Sequence, residues 1–285
     1  MPELPEVESL RRGLERAELR GRITQLWRSE FALRTGQHWR EENLDCVVGG
    51  TSVAFERHGK HLLWKLRHES EDVGVVIHLG MSGRLTVAQG ADARAPHTHV
   101  IVQMSDGREL RFVDPRRFGG MKAARWEELR STPPLVDLGV DALDPSFTGA
   151  YLYERAGASQ RILRDVLLDQ TIVAGIGNIY ALEALFHARL HPLLRAARLR
   201  ASAWERLVDA VSRVLQQGIR NGGTTFRDYR GAAGELGMNQ RQLAVYGRAG
   251  LPCLVCGTSL EGFVSGGRSG AYCPHDQRRP RGRVA

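Results

Sequence analysis

The sequence predicts an α+β chain of several domains. A sandwich or barrel of β-strands with one helix laid against it comes first, a helical block follows, and a small module of short strands and turns ends the chain. Three observations carry this expectation. Strand-like alternation runs from residue 23 to about residue 125, broken by Gly, Asp or Ser turns. Helical spacing takes over beyond Ser131-Thr132-Pro133-Pro134, the best linker in the chain. Three of the four cysteines lie in the last 33 residues.

Taken in order, residues 3–20 are expected to form a helix. Val7, Leu10, Leu14 and Ala17 recur at helical spacing, Pro2 and Pro5 suit its start, and Gly21 follows its end. The expected strands include 52–56, 62–66, 73–78, 99–104 and 109–113, with Ser105-Asp106-Gly107 as a hairpin turn. Helices are expected over 149–156, 160–169, 178–188 and 201–218. Gly222-Gly223-Thr224-Thr225 ends that block, and 230–237 reads as a mobile loop. The expected division is a domain at 1–130, a linker at 131–145, a second domain at 146–240 and the terminal module at 244–285.

At 285 residues, with 42% hydrophobic and 25% charged residues, the chain can bury a sizeable core, which excludes disordered and fibrous classes. Its best apolar stretch, 171–186, is shorter than the roughly 18 to 20 residues a membrane span needs and carries Asn178 and Glu183. The first residues hold no basic stretch followed by an apolar one, so the expected compartment is the cytoplasm. Net charge is +8, but residues 185–285 hold 16 arginines against 6 acids, whereas 1–184 are nearly balanced. That asymmetry points to a polyanion, nucleic acid first. Only Lys60, Lys65 and Lys122 are lysines, so any side-chain amine chemistry has few groups to draw on.

Three segments carry chemistry. Cys253-x-x-Cys256 and Cys273 have the spacing of zinc knuckles, with Gly257 for a tight turn. A fourth ligand falls to Asp276 or to His275, giving a Cys3Asp or Cys3His site; loss of the metal is the alternative. Cys46 reads as a small core residue. Thr171-Ile172-Val173-Ala174-Gly175-Ile176-Gly177-Asn178 joins two expected helices through a glycine turn, where the following helix start offers N–H groups to a phosphate and Asn178 suits a cap. A simple packing corner is the bland reading. At the start of the chain, removal of Met1 leaves Pro2 with a free secondary amine, and an α-amine of pKa near ~8 is partly neutral at pH 7. Such an amine attacking a sugar C1′ gives an iminium that labilises the C2′ proton, and Glu3 beside it suits acid–base work.

With these residues in view, the chain resembles the formamidopyrimidine-DNA glycosylases nearly end to end. The resemblance rests on Pro2-Glu3-Leu4-Pro5-Glu6-Val7-Glu8, His58-Gly59-Lys60-His61-Leu62-Leu63, His78-Leu79-Gly80-Met81-Ser82-Gly83, Asp114-Pro115-Arg116-Arg117-Phe118-Gly119, Gly175-Ile176-Gly177-Asn178-Ile179-Tyr180 and Gly222-Gly223-Thr224-Thr225. It implies an N-terminal β-sandwich with a flanking helix, a helix–two-turn–helix domain and a C-terminal zinc ribbon, with one Zn2+ per chain. The implied activity is a monomeric bacterial glycosylase and abasic-site lyase, cytoplasmic and nucleoid-associated. It removes 8-oxoguanine and formamidopyrimidines from double-stranded DNA, without a membrane partner, and nicks the strand by β,δ-elimination.

By position, the resemblance makes Pro2 the Schiff-base nucleophile, Glu3 the proton donor to the sugar and Lys60 the lysine placed for β-elimination. Arg268 matches an arginine that holds phosphate and assists δ-elimination. Met81, Arg116 and Phe118 match the side chains that fill the gap left by the everted base, and His97 and Asn178 match phosphate contacts. Two departures stand out. Asp276 replaces the ribbon's fourth cysteine, and Arg164 stands where many relatives have lysine, keeping the charge and the phosphate contact. Two other readings compete. An endonuclease VIII-type enzyme for oxidised pyrimidines is disfavoured by Leu4, the Met81/Arg116/Phe118 set and the stretch 230–241. A silent DNA-binding scaffold is disfavoured by intact Pro2, Glu3 and Lys60.

Overall fold

Leu4, Val7, Leu10 and Leu14 repeat at three- and four-residue steps and are all buried, which makes α1 (Leu4–Arg16) amphipathic. The helix is shorter than the expected 3–20. Arg108 donates to the carbonyls of Ala17 and Glu18, and Glu18 takes a left-handed φ of 48°, so the chain leaves the helix there. The computed structural model describes residues 2–31, 33, 43–69 and 71–278. They fall into two units, one of residues 1–137 with 218–240 and one of 138–217 with 241–285.

In the first unit α1 packs on one of two four-stranded antiparallel sheets. One sheet runs β1 (Ile23–Arg28), β6 (Thr98–Met104), β7 (Arg108–Val113), β5 (Arg84–Gln89). The other runs β2 (Thr51–His58), β3 (His61–Arg67), β4 (Asp72–His78), β8 (Gly120–Arg125). Leu62, Trp64 and Ile77 from the second sheet share one core with Val100, Val102, Leu110 and Phe112 from the first and with the apolar face of α1. The expected sandwich or barrel is therefore a sandwich. A single turn, α2 (Trp126–Leu129), follows β8.

Residues 218–240 belong to this unit, although the linear division placed them in the helical block. The Thr224 N–H donates to Glu6 Oε1 at 2.7 Å, the Tyr229 hydroxyl to the Glu6 carbonyl at 3.0 Å, and the Val87 N–H to the Ala232 carbonyl at 2.9 Å. Gly13 of α1 makes room for this return, since a Cβ there would stand 2.9 Å from Ala232 Cβ. The expected mobile loop 230–237 is thus tied down, with Ala232 buried and the Gly231 N–H bonded to the Glu235 carbonyl at 2.9 Å.

The second unit begins inside the expected linker. There β9 (Val140–Asp141) pairs in parallel with β10 (Val173–Ala174). Helix α3 (Gly149–Ala156) has the expected bounds and is capped by Thr148, whose hydroxyl accepts the Tyr151 N–H at 3.1 Å. Helix α4 (Leu163–Leu168) is shorter than the expected 160–169, because Ile162 bridges to Arg195 and Asp169 accepts the Thr171 N–H and hydroxyl. Helix α5 (Asn178–His187) is buried along nearly its whole length, and α6 (Ala201–Arg220) is the longest helix among the described residues. The terminal hairpin, β11 (Glu261–Ser265) and β12 (Arg268–Tyr272), shares a small core with α5 through Leu182 and Phe186. Glu183, buried on α5, accepts the N–H groups of Ala244, Val245 and Tyr246 at 2.8–2.9 Å and so anchors the entry to that module.

Candidate functional site

Pro2 and Glu3 sit buried at the head of α1. Glu3 is the N-cap of a capping box, and its N–H donates to Glu6 Oε2 at 2.7 Å. The other oxygen of Glu6 holds Thr224, so one carboxylate fixes both the start of the helix and a segment 218 residues away. Sequence reasoning quoted Glu6 within a motif but gave it no task, since its second partner is too distant in sequence to be read.

Glu8, one turn on, joins this head to the β2–β3 turn. It bonds Arg11 and Arg12 at 2.7–3.0 Å and Arg57 at 3.3 Å, and Arg57 also donates to the Gly59 carbonyl at 3.1 Å. Lys60, in that turn, is buried. Burial raises the Glu8 carboxyl, but the three guanidiniums outweigh it and hold the group at about 2. Its stabilising pairing is therefore present above pH 4.5 and lost as pH falls toward 2.

Two imidazoles flank the Lys60 turn, His61 and His78, with ring centroids 5.0 Å apart. Burial, reinforced by the Lys60 charge and opposed by Asp114, holds His78 at about 4. Burial and the neighbouring His78, His58 and Lys60 hold His61 well below its ordinary value. Both rings are neutral at neutral pH. Unfolded histidines take up protons near pH 6.5 that the folded pair refuses, so stability falls as pH drops from about 6.5 toward 4. Urea melts are expected to give a lower midpoint at pH 5 than at pH 7; an unchanged midpoint would contradict the buried neutral pair.

Met81 and Phe118 are 41% and 40% exposed, and the Arg116 guanidinium lies 4.7 Å over the Phe118 ring. His97 is exposed with φ 63°. The structure thus presents all four expected DNA-contacting side chains of the first unit on its surface.

In the second unit, Arg268 is exposed at the end of a turn through Gly266 and Gly267, both at positive φ. Arg164, expected at a phosphate, lies under the hairpin turn. It is fully buried, its guanidinium lies 5.6 Å over the Phe263 ring, and it donates to the Ser265 carbonyl at 2.9 Å, the Arg268 carbonyl at 3.5 Å and Asp165 Oδ1 at 2.6 Å. It props the hairpin turn from beneath. Arg164→Leu is expected to leave the turn carbonyls unpaired at a cost of about 1–3 kcal/mol each, lowering the thermal midpoint while the salt dependence of DNA binding keeps its slope. Loss of about one unit of that slope would restore the phosphate contact.

Asn178 also serves the hairpin, its Nδ2 donating to the Ser269 carbonyl at 2.9 Å while Oδ1 is buried without a partner. Gly177, not Asn178, is the N-cap of α5, and no side chain caps it. Gly175, at φ 107°, is the glycine that the turn before it requires.

The sulfurs of Cys253, Cys256 and Cys273 and a carboxylate oxygen of Asp276 lie within 4.8 Å of one another. Tetrahedral zinc with bonds of about 2.3 Å needs sulfurs roughly 3.8 Å apart. The separations are 3.4 Å between Cys256 and Cys273 and 3.7 Å from Cys253 to Asp276. Backbone N–H groups of Val255 and Asp276 point at the Cys253 and Cys273 sulfurs, as thiolate ligands require. The set fits one zinc ion per chain, with Asp276 as the fourth donor. His275 stands outside it, exposed, 3.4 Å from the second carboxylate oxygen.

Three family models match the chain: the formamidopyrimidine-DNA glycosylase N-terminal domain over residues 1–121, its H2TH domain over 138–230, and a zinc finger found in FPG and IleRS over 250–279. Among similar proteins, the formamidopyrimidine-DNA glycosylase of Geobacillus kaustophilus is 40% identical over 98% of this chain and all of its own length. That of Moorella thermoacetica is 42% identical over 92% of this chain and 94% of its own length. The MutM (Fpg) crystal structure from Thermus thermophilus superposes with a TM-score of 0.85 at 38% identity, covering 97% of this chain and 98% of that one. Lactococcus lactis Fpg, crystallised with DNA containing N7-benzyl-Fapy-dG, gives 0.87 at 28% identity over 98% and 100%.

Proposed function

The chain belongs to the formamidopyrimidine-DNA glycosylase family, and from that premise we propose the following division of labour for a base-excision enzyme acting on oxidised purines in duplex DNA. Pro2 attacks C1′ of the damaged nucleoside and Glu3 protonates the sugar as the base departs, leaving an iminium at Pro2. That electron sink acidifies the C2′ proton; its removal expels the 3′ phosphate by β-elimination, with Lys60 assisting. A second elimination expels the 5′ phosphate, with Arg268 holding the phosphate. The observation that carries this reading is the buried Pro2–Glu3 head, locked by the Glu6 carboxylate beside the helix start.

A base within a duplex is unreachable, so it is everted at a cost of a few kcal/mol in stacking. Met81 and Phe118 wedge into the gap, and Arg116 bonds the orphaned base. His97 and the first turn of α5 at Asn178 serve the phosphates. The zinc held by Cys253, Cys256, Cys273 and Asp276 stiffens the hairpin that bears Arg268 and takes no part in the bond changes. Among the described residues no helix is long and apolar enough to cross a membrane, and we place the protein as a monomer in the cytoplasm, on the nucleoid. The proposed domains are 1–130 for catalysis, 146–240 for DNA binding and 244–285 for the ribbon, with the 218–240 return packed on the first.

The test is borohydride trapping on duplexes carrying one 8-oxoguanine or one oxidised pyrimidine, followed by peptide mapping. Preferential trapping at Pro2 on the purine lesion is expected, and preferential trapping on the pyrimidine would overturn the substrate assignment. Binding is expected to weaken linearly on a log–log scale with salt, by about 10³-fold between 50 and 200 mM if about six phosphates are contacted.

A further inference from the structure

Met81 stands on the 79–83 loop, and Arg116 and Phe118 on the 114–119 loop. A wedge with its prongs on two loops works only if their spacing and height stay fixed. One side chain reaches both loops. Asp114 is fully buried; its Oδ1 accepts the Ser82 hydroxyl at 2.6 Å and the Arg116 N–H at 3.2 Å, and its Oδ2 accepts the Gly119 N–H at 2.8 Å. These donors are Arg116 itself and the immediate successors of Met81 and Phe118. The Asp114 backbone extends the hub: its carbonyl accepts the Arg117 N–H at 3.1 Å, and its own N–H donates to the His97 carbonyl at 3.0 Å. The loops also meet backbone to backbone. Gly80 has φ 61°, and a Cβ there would lie 2.4 Å from the Phe118 carbonyl carbon.

A buried carboxyl group is costly unless its oxygens are satisfied. These three donors to the Asp114 carboxylate come from the two loops, so a shift of one loop against the other leaves an acceptor bare. We propose that Asp114 is the positioning residue that locks the two loops in register and so sets how far Met81, Arg116 and Phe118 enter the duplex as the damaged base leaves it. The proposal rests on the function above; it adds that wedge geometry is set by a residue that touches no DNA.

Asp114→Asn keeps the shape but turns one acceptor oxygen into a donor, which faces either the Gly119 N–H or the Ser82 and Arg116 donors. Ser82→Ala removes only the hydroxyl link and carries the test should Asp114→Asn not fold. Two readouts are used. One is fluorescence of a 2-aminopurine beside a non-cleavable abasic analogue, which reports unstacking by the wedge. The other is single-turnover 8-oxoguanine excision against strand cleavage at a pre-formed abasic site, where no base has to be everted. Both variants are expected to lose unstacking signal and to lose excision by about 10- to 100-fold, with a much smaller loss on the abasic site. Equal losses on both substrates, or an undiminished 2-aminopurine signal, would overturn the proposal. A wild-type protein that fails to excise 8-oxoguanine would indict the proposed substrate instead, while the 2-aminopurine signal would still judge Asp114.

Discussion

A Glu3→Gln protein is expected to excise 8-oxoguanine about 10²- to 10⁴-fold more slowly than wild type, the range for loss of a positioned proton donor. Cleavage at a pre-formed abasic site is expected to suffer far less, since no base has to depart and the Pro2 amine is untouched. The substitution is nearly silent for the fold, because glutamine keeps a side-chain oxygen for the Glu6 N–H of the capping box and the Glu3 N–H that Glu6 accepts belongs to the backbone. Single-turnover rates on the two substrates, with borohydride trapping on the second, decide the matter. Equal losses on both would make Glu3 a device for holding the head of α1.

The second large effect concerns the metal. Structural zinc supplies about 10–16 kcal/mol of apparent binding free energy to small modules at neutral pH. The 244–278 module has only a small core, which includes Val245, Leu260 and Ala271 with Leu182 and Phe186 of α5. Cys273→Ala is expected to lower zinc from about one per chain to near none by elemental analysis and to melt the hairpin. Asp276→Cys is expected to resist chelation longer than wild type, since a thiolate is the softer and better zinc ligand. Asp276→Ala should release zinc fastest of the two Asp276 variants. A full zinc complement in Cys273→Ala would place the metal elsewhere.

Much of this was legible from local pattern. β4 was expected at 73–78 and runs from Asp72 to His78, and α3 has the expected bounds, because alternation and helical spacing are local signals. β5 and β8 were not singled out. Arg84–Gln89 mixes polar and apolar residues, and Gly120–Arg125 has no β-branched residue, so each takes its identity from its sheet partners. The end of α1 was illegible because its stop is Arg108, from β7. The site divides the same way. Pro2, Glu3, Lys60 and the three cysteines stand in short motifs whose chemistry is written in residue type. The surroundings of Arg164 were not legible, because a sequence displays a charge but not its burial; this guanidinium bonds a carbonyl of the hairpin.

The bond from Glu6 to Thr224 has a consequence for the order of biosynthesis. The first unit takes residues 1–137 and then waits for 218–240, with the whole of 138–217 between. At about 5–20 residues per second, roughly 4 to 16 s pass on the ribosome between those two points. A nascent chain can build its sandwich in that interval, but Glu6 then lacks the Thr224 N–H. The head that carries Pro2 and Glu3 is completed late, after the helices of the second unit have been made, so a chain that stalls before residue 224 would hold a sandwich without that head finished.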